Sequence, residues 1–254
     1  MSGQDEVTRP AHTPAAGTAA AIDLAALRIE YGAAGLDEDA AGEDPYALFD
    51  RWFAEVAAGG IHEPNAMVVA TADADGHPSA RAVLLKGVRS PEGAGVAPGE
   101  DGFVFFTNSA SRKGAELAVQ AHCSLLFGWF PVERQIRIEG VAVPLPQAEV
   151  DAYFASRPRG SQLGAWASAQ SRPVPDRAAL ERAYAEVEQR FADAPVPTPP
   201  AWGGYRVRPG AFEFWQGRPG RMHDRIRFRR LEVGRGESAE PFPGSEWVRD
   251  RLAP

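Results

Sequence analysis

The residues from 66 to 88 constrain this chain most. Ala66–Ala72 and Ala80–Val88 are strand-length runs of Val, Ala and Leu, and between them stands Asp73-Ala74-Asp75-Gly76, a good hairpin turn. Parallel strands need a crossover of a dozen residues or more, so a pair joined this closely is antiparallel. The same grammar recurs. His122–Phe130 and Arg134–Val143 are separated by a short link, and in the second Ile136 and Ile138 alternate with Gln135, Arg137 and Glu139. Phe103–Thr107 adds a strand, and further strands are expected at 204–208, 211–216, 225–230 and about 246–251. Many strands, few helices and hairpin links predict a mainly β chain of the α+β class, an antiparallel barrel with helices outside.

The helices are legible from their period. Over 45–58, Pro45 suits the first turn, Leu48, Phe49, Trp52, Phe53 and Val56 form one stripe, and Gly59-Gly60 close it. A polar turn opens a helix from about Ser111 to Gln120, and residues 147–157 are helical in pattern until Pro158. Residues 177–192 carry the clearest stripe, Leu180, Tyr184, Val187 and Phe191, with Glu186–Arg190 as a supporting pair. A short helix is expected over 22–31, a disordered tail over 1–20 and an exposed loop over 89–102, and Pro195, Pro197, Pro199 and Pro200 make a stiff connector. Residues 21–254 then form a single domain.

Composition excludes several classes. A net charge of -7 argues against a general nucleic-acid or membrane binder, and no apolar run approaches the roughly 20 residues of a membrane helix. The first residues carry Asp5 and Glu6 and lack the apolar core of a secretory signal. Cys123 is the only cysteine, which fits a reducing cytoplasm. No Gly-x-Gly-x-x-Gly follows a strand, no Walker-type loop or Gly-x-Ser-x-Gly elbow is present, and the 5 histidines show no metal-ligand spacing.

Three places look built for anions. Ser109-Ala110-Ser111-Arg112-Lys113 lies at a strand-to-helix junction, where free backbone N–H groups, hydroxyls and two cations can cradle a phosphate. An ordinary N-cap with solvated charges accounts for the same residues. Tyr153 and Arg157 are four apart on one helix face, with Ser161 just beyond, and suit a second phosphate or a surface Arg stacked on a Tyr. Arg81 and Lys86 are five apart on a strand, so ideal pleating puts them on opposite faces, to serve two ligands across a bend or to guard an edge. Gln135, Gln170 and Ser171 add groups suited to the edge of a heterocycle. A fourth stretch, Phe214 to Arg225, reads as a hairpin that sets Arg221, His223 and Arg225 on one face beside Trp215 and Gln216, or as a charged strand edge. Together these features point to a protein that binds phosphorylated aromatic molecules, with the hard chemistry carried by a cofactor.

Beyond these patterns the residues match a known family. The chain resembles the pyridoxamine/pyridoxine 5′-phosphate oxidases, flavoproteins of the FMN-binding split-barrel fold. The resemblance runs from Leu27-Arg28-Ile29-Glu30-Tyr31 to Asp250-Arg251-Leu252-Ala253-Pro254, through Arg81–Lys86, Phe105-Phe106-Thr107-Asn108 with Ser111-Arg112-Lys113, and Glu133-Arg134-Gln135. It continues through Tyr153–Arg159, Ser161–Trp166, Gln170-Ser171, Trp202-Gly203-Gly204 and the Phe214–Arg225 stretch. Phe106 stands where members usually carry Tyr, and Met222 where they often carry Leu.

The resemblance implies a homodimer with FMN at the subunit interface. It implies oxidation of pyridoxamine or pyridoxine 5′-phosphate to pyridoxal 5′-phosphate, with O2 as acceptor and H2O2 released. Arg81, Arg112 and Lys113, with Ser111 at the same junction, would grip the FMN phosphate. Val83, Leu84, Lys86, Phe106, Thr107, Gln135, Gln170, Ser171, Trp215 and Arg225 would line the rest of the flavin site. Lys86, Tyr153, Arg157 and Ser161 would hold the substrate phosphate, Arg221 and His223 would sit over the substrate ring as the catalytic pair, and Arg28 and Tyr31 would close a lid. Two other readings remain: a related FMN oxidase acting on a phenazine-type metabolite, and a non-catalytic carrier of flavin or pyridoxal phosphate.

Overall fold

A computed structural model of the chain describes residues 31–32, 35–230 and 246–254. The expected tail over 1–20, nearly all of the helix over 22–31, and Arg28 lie outside the described residues. A short helix α1 (Glu38–Ala41) leads into α2 (Pro45–Ala58), whose bounds are those its sequence announces. Asp44 caps α2 by accepting from Tyr46 N at 2.9 Å, and Pro45 fills the first turn, where no N–H is needed. Tyr46, Leu48, Phe49, Trp52 and Val56 are buried. Phe49 meets Phe103 and Phe127 edge-on at 4.9 and 5.3 Å.

The strands are β1 (Ala66–Ala72), β2 (Pro78–Leu84), β3 (Gly87–Arg89), β4 (Gly102–Asn108), β5 (His122–Trp129), β6 (Arg134–Pro144), β7 (Trp202–Gln216), β8 (Asp224–Arg230) and β9 (Trp247–Arg251). They form one antiparallel sheet in the order β2-β1-β5-β6-β7-β4-β3, with β8 pairing β7 and β9. The 73–76 turn closes β1–β2 as expected, with Gly76 N donating to Asp73 O at 3.0 Å.

Three expectations need correction, and the exposed loop over 89–102 departs from expectation only at its ends. The run 80–88 is two strands, because the chain leaves β1 after Leu84: Leu85 N donates to Asn65 O and Lys86 N donates to Val104 O of β4, both at 2.8 Å. Residues 204–208 and 211–216 are one strand, since Pro209-Gly210 form a bulge in β7 rather than a break. The register shifts there between Glu139 and Gly140 of β6. The loop after β3 ends on buried Asp101, which accepts from Tyr46 Oη at 2.6 Å and pairs with Arg230. Glu186 and Arg190 form no ion pair; the Arg190 guanidinium lies over the Trp166 ring at 4.9 Å.

The remaining helices are α3 (Arg112–Val119), α4 (Gln147–Ser156), α5 (Arg159–Ala167) and α6 (Arg177–Arg190). Pro158 ends α4 but also caps α5, a helix that its two glycines hide from the periodicity. Phe154, Leu163, Phe191 and Val196 form a second core beneath these helices. No helix among the described residues is long and apolar enough to cross a membrane.

Candidate active site

A cavity of about 650 Å³ lies among β2, β4, the start of β7 and helices α4 and α5, within the size range of small-molecule sites. Arg81, Lys86, Lys113 and Arg157 line it together with Tyr153, Ser161, Thr107, Asn108 and Gln170, and no carboxylate among the described residues does. Four cations, of which Arg81 pairs with a buried carboxylate behind the wall, fit a ligand with more than one anionic group.

Lys113 is nearly buried, 8% exposed, and its Nζ donates to Thr107 Oγ1 (3.0 Å), Ser111 Oγ (3.2 Å) and Gln170 Oε1 (3.0 Å). Burial, then the Arg81 charge, pushes its pKa down, against an opposing pull from Glu116. Arg81 is held by Val69 O at 3.2 Å, by Thr71 and Ser79, and by Glu116 Oε2 at 3.2 Å. Glu116 is 4% exposed and also accepts from Ser79 Oγ (2.6 Å), Thr71 and Arg112 Nε (2.8 Å). Burial alone would raise its pKa, but the hydrogen bonds from Ser79, Thr71, Arg112 and Arg81 hold it down at about 2. This buried anion fixes the cationic end of the cavity, and the pattern reading missed it. The Arg112–Glu116 spacing of four on α3 was the available signal.

Lys86, Tyr153, Arg157 and Ser161 line the same cavity. Arg81 and Lys86 were expected on opposite faces, yet both line one cavity because β2 stops at Leu84 and the bend swings Lys86 round. Arg157 caps α4 in an extended conformation, and Ser161 is carried by α5. Burial lowers the Arg157 pKa, with Tyr153 opposing.

Val83, Leu84 and Phe106 complete one wall. Ser111, Arg112 and Ser171 do not line the cavity. Ser111 is fully buried as the N-cap of α3 and donates to Asn108 O at 2.6 Å, the Arg112 side chain is 60% exposed, and Ser171 stands at φ 71 in the left-handed region.

A second grouping gathers at the β6–β7–β8 end. Gln135 is opposite Trp215, which is opposite Arg225. Tyr31, Trp215 and His223 form an aromatic trio, with ring centroids 5.7, 5.5 and 4.7 Å apart. Arg218 N donates to His223 Nδ1 at 3.2 Å, so the neutral ring carries its proton on Nε2. The expected strand alternation of Arg221, His223 and Arg225 is not formed: β8 starts at Asp224, and Arg221 ends a short 3-10 turn at φ 60. Arg225 Nε donates to Glu213 Oε1 at 2.8 Å, and buried Glu213 also takes Arg137 Nη2 at 2.6 Å, a carboxylate that pattern reading again passed over. None of these hairpin-end residues lines the cavity of the same chain.

The curled antiparallel sheet with outer helices is shared with solved split-barrel proteins. One is PhzG from Burkholderia lata 383, solved in complex with tetrahydrophenazine-1-carboxylic acid: TM-score 0.73 and 31% identity, over 87% of this chain and 99% of that one. Another is a pyridoxamine 5′-phosphate oxidase-related, FMN binding protein from Nostoc punctiforme: TM-score 0.61 and 14% identity, over 84% of this chain and 100% of that one, which speaks to the fold alone. By fold the chain is a split barrel of the flavin-protein class. Residues 53–191 match the pyridoxamine 5′-phosphate oxidase family, and residues 202–254 match the pyridoxine 5′-phosphate oxidase C-terminal dimerisation region. A pyridoxine/pyridoxamine 5′-phosphate oxidase from Nocardioides sp. is 57% identical over 92% of this chain and 99% of its own length. The chain belongs to the pyridoxamine 5′-phosphate oxidase family.

Proposed function

We propose that this chain is an FMN-dependent oxidase that converts pyridoxine and pyridoxamine 5′-phosphates to pyridoxal 5′-phosphate. The observation that carries the reading is one cavity of about 650 Å³ whose lining brings together Arg81, Lys86, Lys113 and Arg157 and, among the described residues, no carboxylate. The buried, anchored donors of Arg81 and Lys113 suit the FMN phosphate, with Arg112 and the Ser111 N-cap beside them. Lys86, Tyr153, Arg157 and Ser161 suit the substrate phosphate. What FMN supplies when bound is a two-electron acceptor for the hydride leaving substrate C4′, with reoxidation by O2 and release of H2O2.

The chain's own residues bind, orient and shield. Val83, Leu84 and Phe106 offer an apolar wall, and Thr107 and Gln170 offer polar groups at the flavin edge. Gln135, Ser171, Trp215 and Arg225 complete the flavin contacts in this reading. Arg221 and His223 face the substrate ring, with the His223 Nε2 proton available as a donor. Tyr31, packed on Trp215 and His223, belongs to a lid that Arg28 would extend. Because none of the hairpin-end residues lines the cavity of its own chain, this reading has a second copy complete the site. The match of residues 202–254 to a dimerisation region supports a homodimer, and this reading sets FMN at its interface.

The likeness to PhzG favours a second reading, an oxidase for a larger phenazine-type substrate. The two are separated by comparing turnover of pyridoxine 5′-phosphate, pyridoxine and a reduced phenazine carboxylate. The first reading expects the phosphate ester to be preferred by at least a hundredfold in kcat/KM. Equal use of pyridoxine, or preference for the phenazine, would overturn it.

A further inference from the structure

Two side chains proposed for the substrate phosphate lie over aromatic rings. The Arg157 guanidinium carbon is 4.1 Å from the centroid of the Trp202 ring and 5.6 Å from that of Phe154. The Tyr153 ring lies 3.7 Å from the Phe106 ring, with planes 9° apart. Trp202 begins β7, Phe106 belongs to β4, and the two strands are paired, Asn108 opposite Trp202 and Phe106 opposite Gly204. Both rings pack on the cluster of Val104, Leu145 and Val150. Gly204 leaves the space that the Phe106 ring occupies: a Cβ there would stand 2.8 Å from Phe106 Cδ1.

Arg157 makes no ion pair among the described residues, and its Nη1 is buried without a hydrogen-bond partner. A buried guanidinium donor left unpaired is costly, yet here the guanidinium lies over an indole in the wall of a cavity. A stacked guanidinium has lost most of its rotational freedom before any ligand arrives, which lowers the ordering cost of binding. Trp202 Nε1 is likewise buried and unpartnered, so the indole is kept for its face.

We infer that Trp202 and Phe106 are positioning residues, an aromatic floor that acts through Arg157 and Tyr153 to preset the grip on the substrate's 5′-phosphate. The inference rests on the substrate reading proposed above. Its test separates the two. In the FMN-loaded enzyme, Trp202→Leu is expected to raise KM for pyridoxine 5′-phosphate, and the Kd of pyridoxal 5′-phosphate, about tenfold. kcat should stay within about twofold, and binding of unphosphorylated pyridoxal should not move. Trp202→Phe, which keeps a ring face, should recover most of the loss. In an Arg157→Ala background, Trp202→Leu should add less than about a further twofold, because its partner is gone. Phe106→Leu, whose ring also walls the flavin site, is read only by the Kd of pyridoxal 5′-phosphate, where its penalty should shrink in a Tyr153→Ala background, and Trp202→Met carries the test if Trp202→Leu does not fold.

Equal penalties with and without Arg157, or equal weakening of pyridoxal and its phosphate, would make Trp202 mere packing and overturn the inference. If wild type binds pyridoxal 5′-phosphate but does not oxidise pyridoxine 5′-phosphate, the substrate reading fails while the binding arm still judges the floor. If wild type does neither, both fall.

Discussion

Replacing Lys113 by Met should weaken the cofactor site while stabilising the ligand-free protein. The methionine keeps the length of the stem and removes the ammonium, whose Nζ reaches Thr107, Ser111 and Gln170. A hydrogen bond to a charged group contributes about 1.5–3 kcal/mol, so the Kd for FMN should rise about 10- to 150-fold at 1.36 kcal/mol per decade. Stability should move the other way. Burial pushes the Lys113 pKa down, so the folded ligand-free chain bears a cost for the charged form. Thr107 and Ser111 already donate to Gln170 Oε1 and Asn108 O, so little is stranded when the ammonium goes. The Tm of the flavin-free variant should therefore lie above that of the flavin-free wild type.

The sign of the pH dependence follows. The cost is fully present below the folded-state pKa and is relieved as pH rises through it toward the ordinary lysine range. The Tm advantage of Lys113→Met should therefore shrink as pH rises. FMN titration by flavin fluorescence and thermal melts of the flavin-free protein across pH read both effects. Unchanged FMN affinity, or a Tm lowered by many degrees, would refute the reasoning.

Two further outcomes are expected. Arg221→Ala and His223→Ala should lower kcat by about tenfold or more while the protein stays yellow, because neither side chain lines the cavity that holds the cationic grip; loss of FMN from both variants would misplace them. Gly140→Ala should cost about 1–3 kcal/mol by overpacking, since a Cβ there would stand 2.3 Å from Arg208 O across the bulge, and a denaturant titration measures it.

The parts of this fold that the sequence announces are those that local chemistry decides. α2 could be bounded because Pro45 and Gly59-Gly60 mark its ends and its stripe is aromatic. α5 could not, because Gly160 and Gly164 break its pattern and Pro158 reads as a stop although it also begins a helix. β7 was split for a similar reason: Pro209-Gly210 look like a turn, and only the pairing with β6 makes them a bulge. At the site, the cations were visible by residue type. Their convergence was not, since parity along a strand separates Arg81 from Lys86 until the strand ends at Leu84. Glu116 was marked only by its spacing of four from Arg112, and Glu213 by nothing, because a carboxylate is ordinarily solvated. They are buried only because Arg81, Arg112, Arg137 and Arg225 come to meet them.

The most direct measurement is the visible spectrum of the purified protein, mixed without oxygen with pyridoxine 5′-phosphate and then exposed to air. The account predicts a yellow protein whose flavin band bleaches on mixing and returns in air, with one pyridoxal 5′-phosphate and one H2O2 formed per cycle. A yellow protein whose band does not change with this substrate would contradict it.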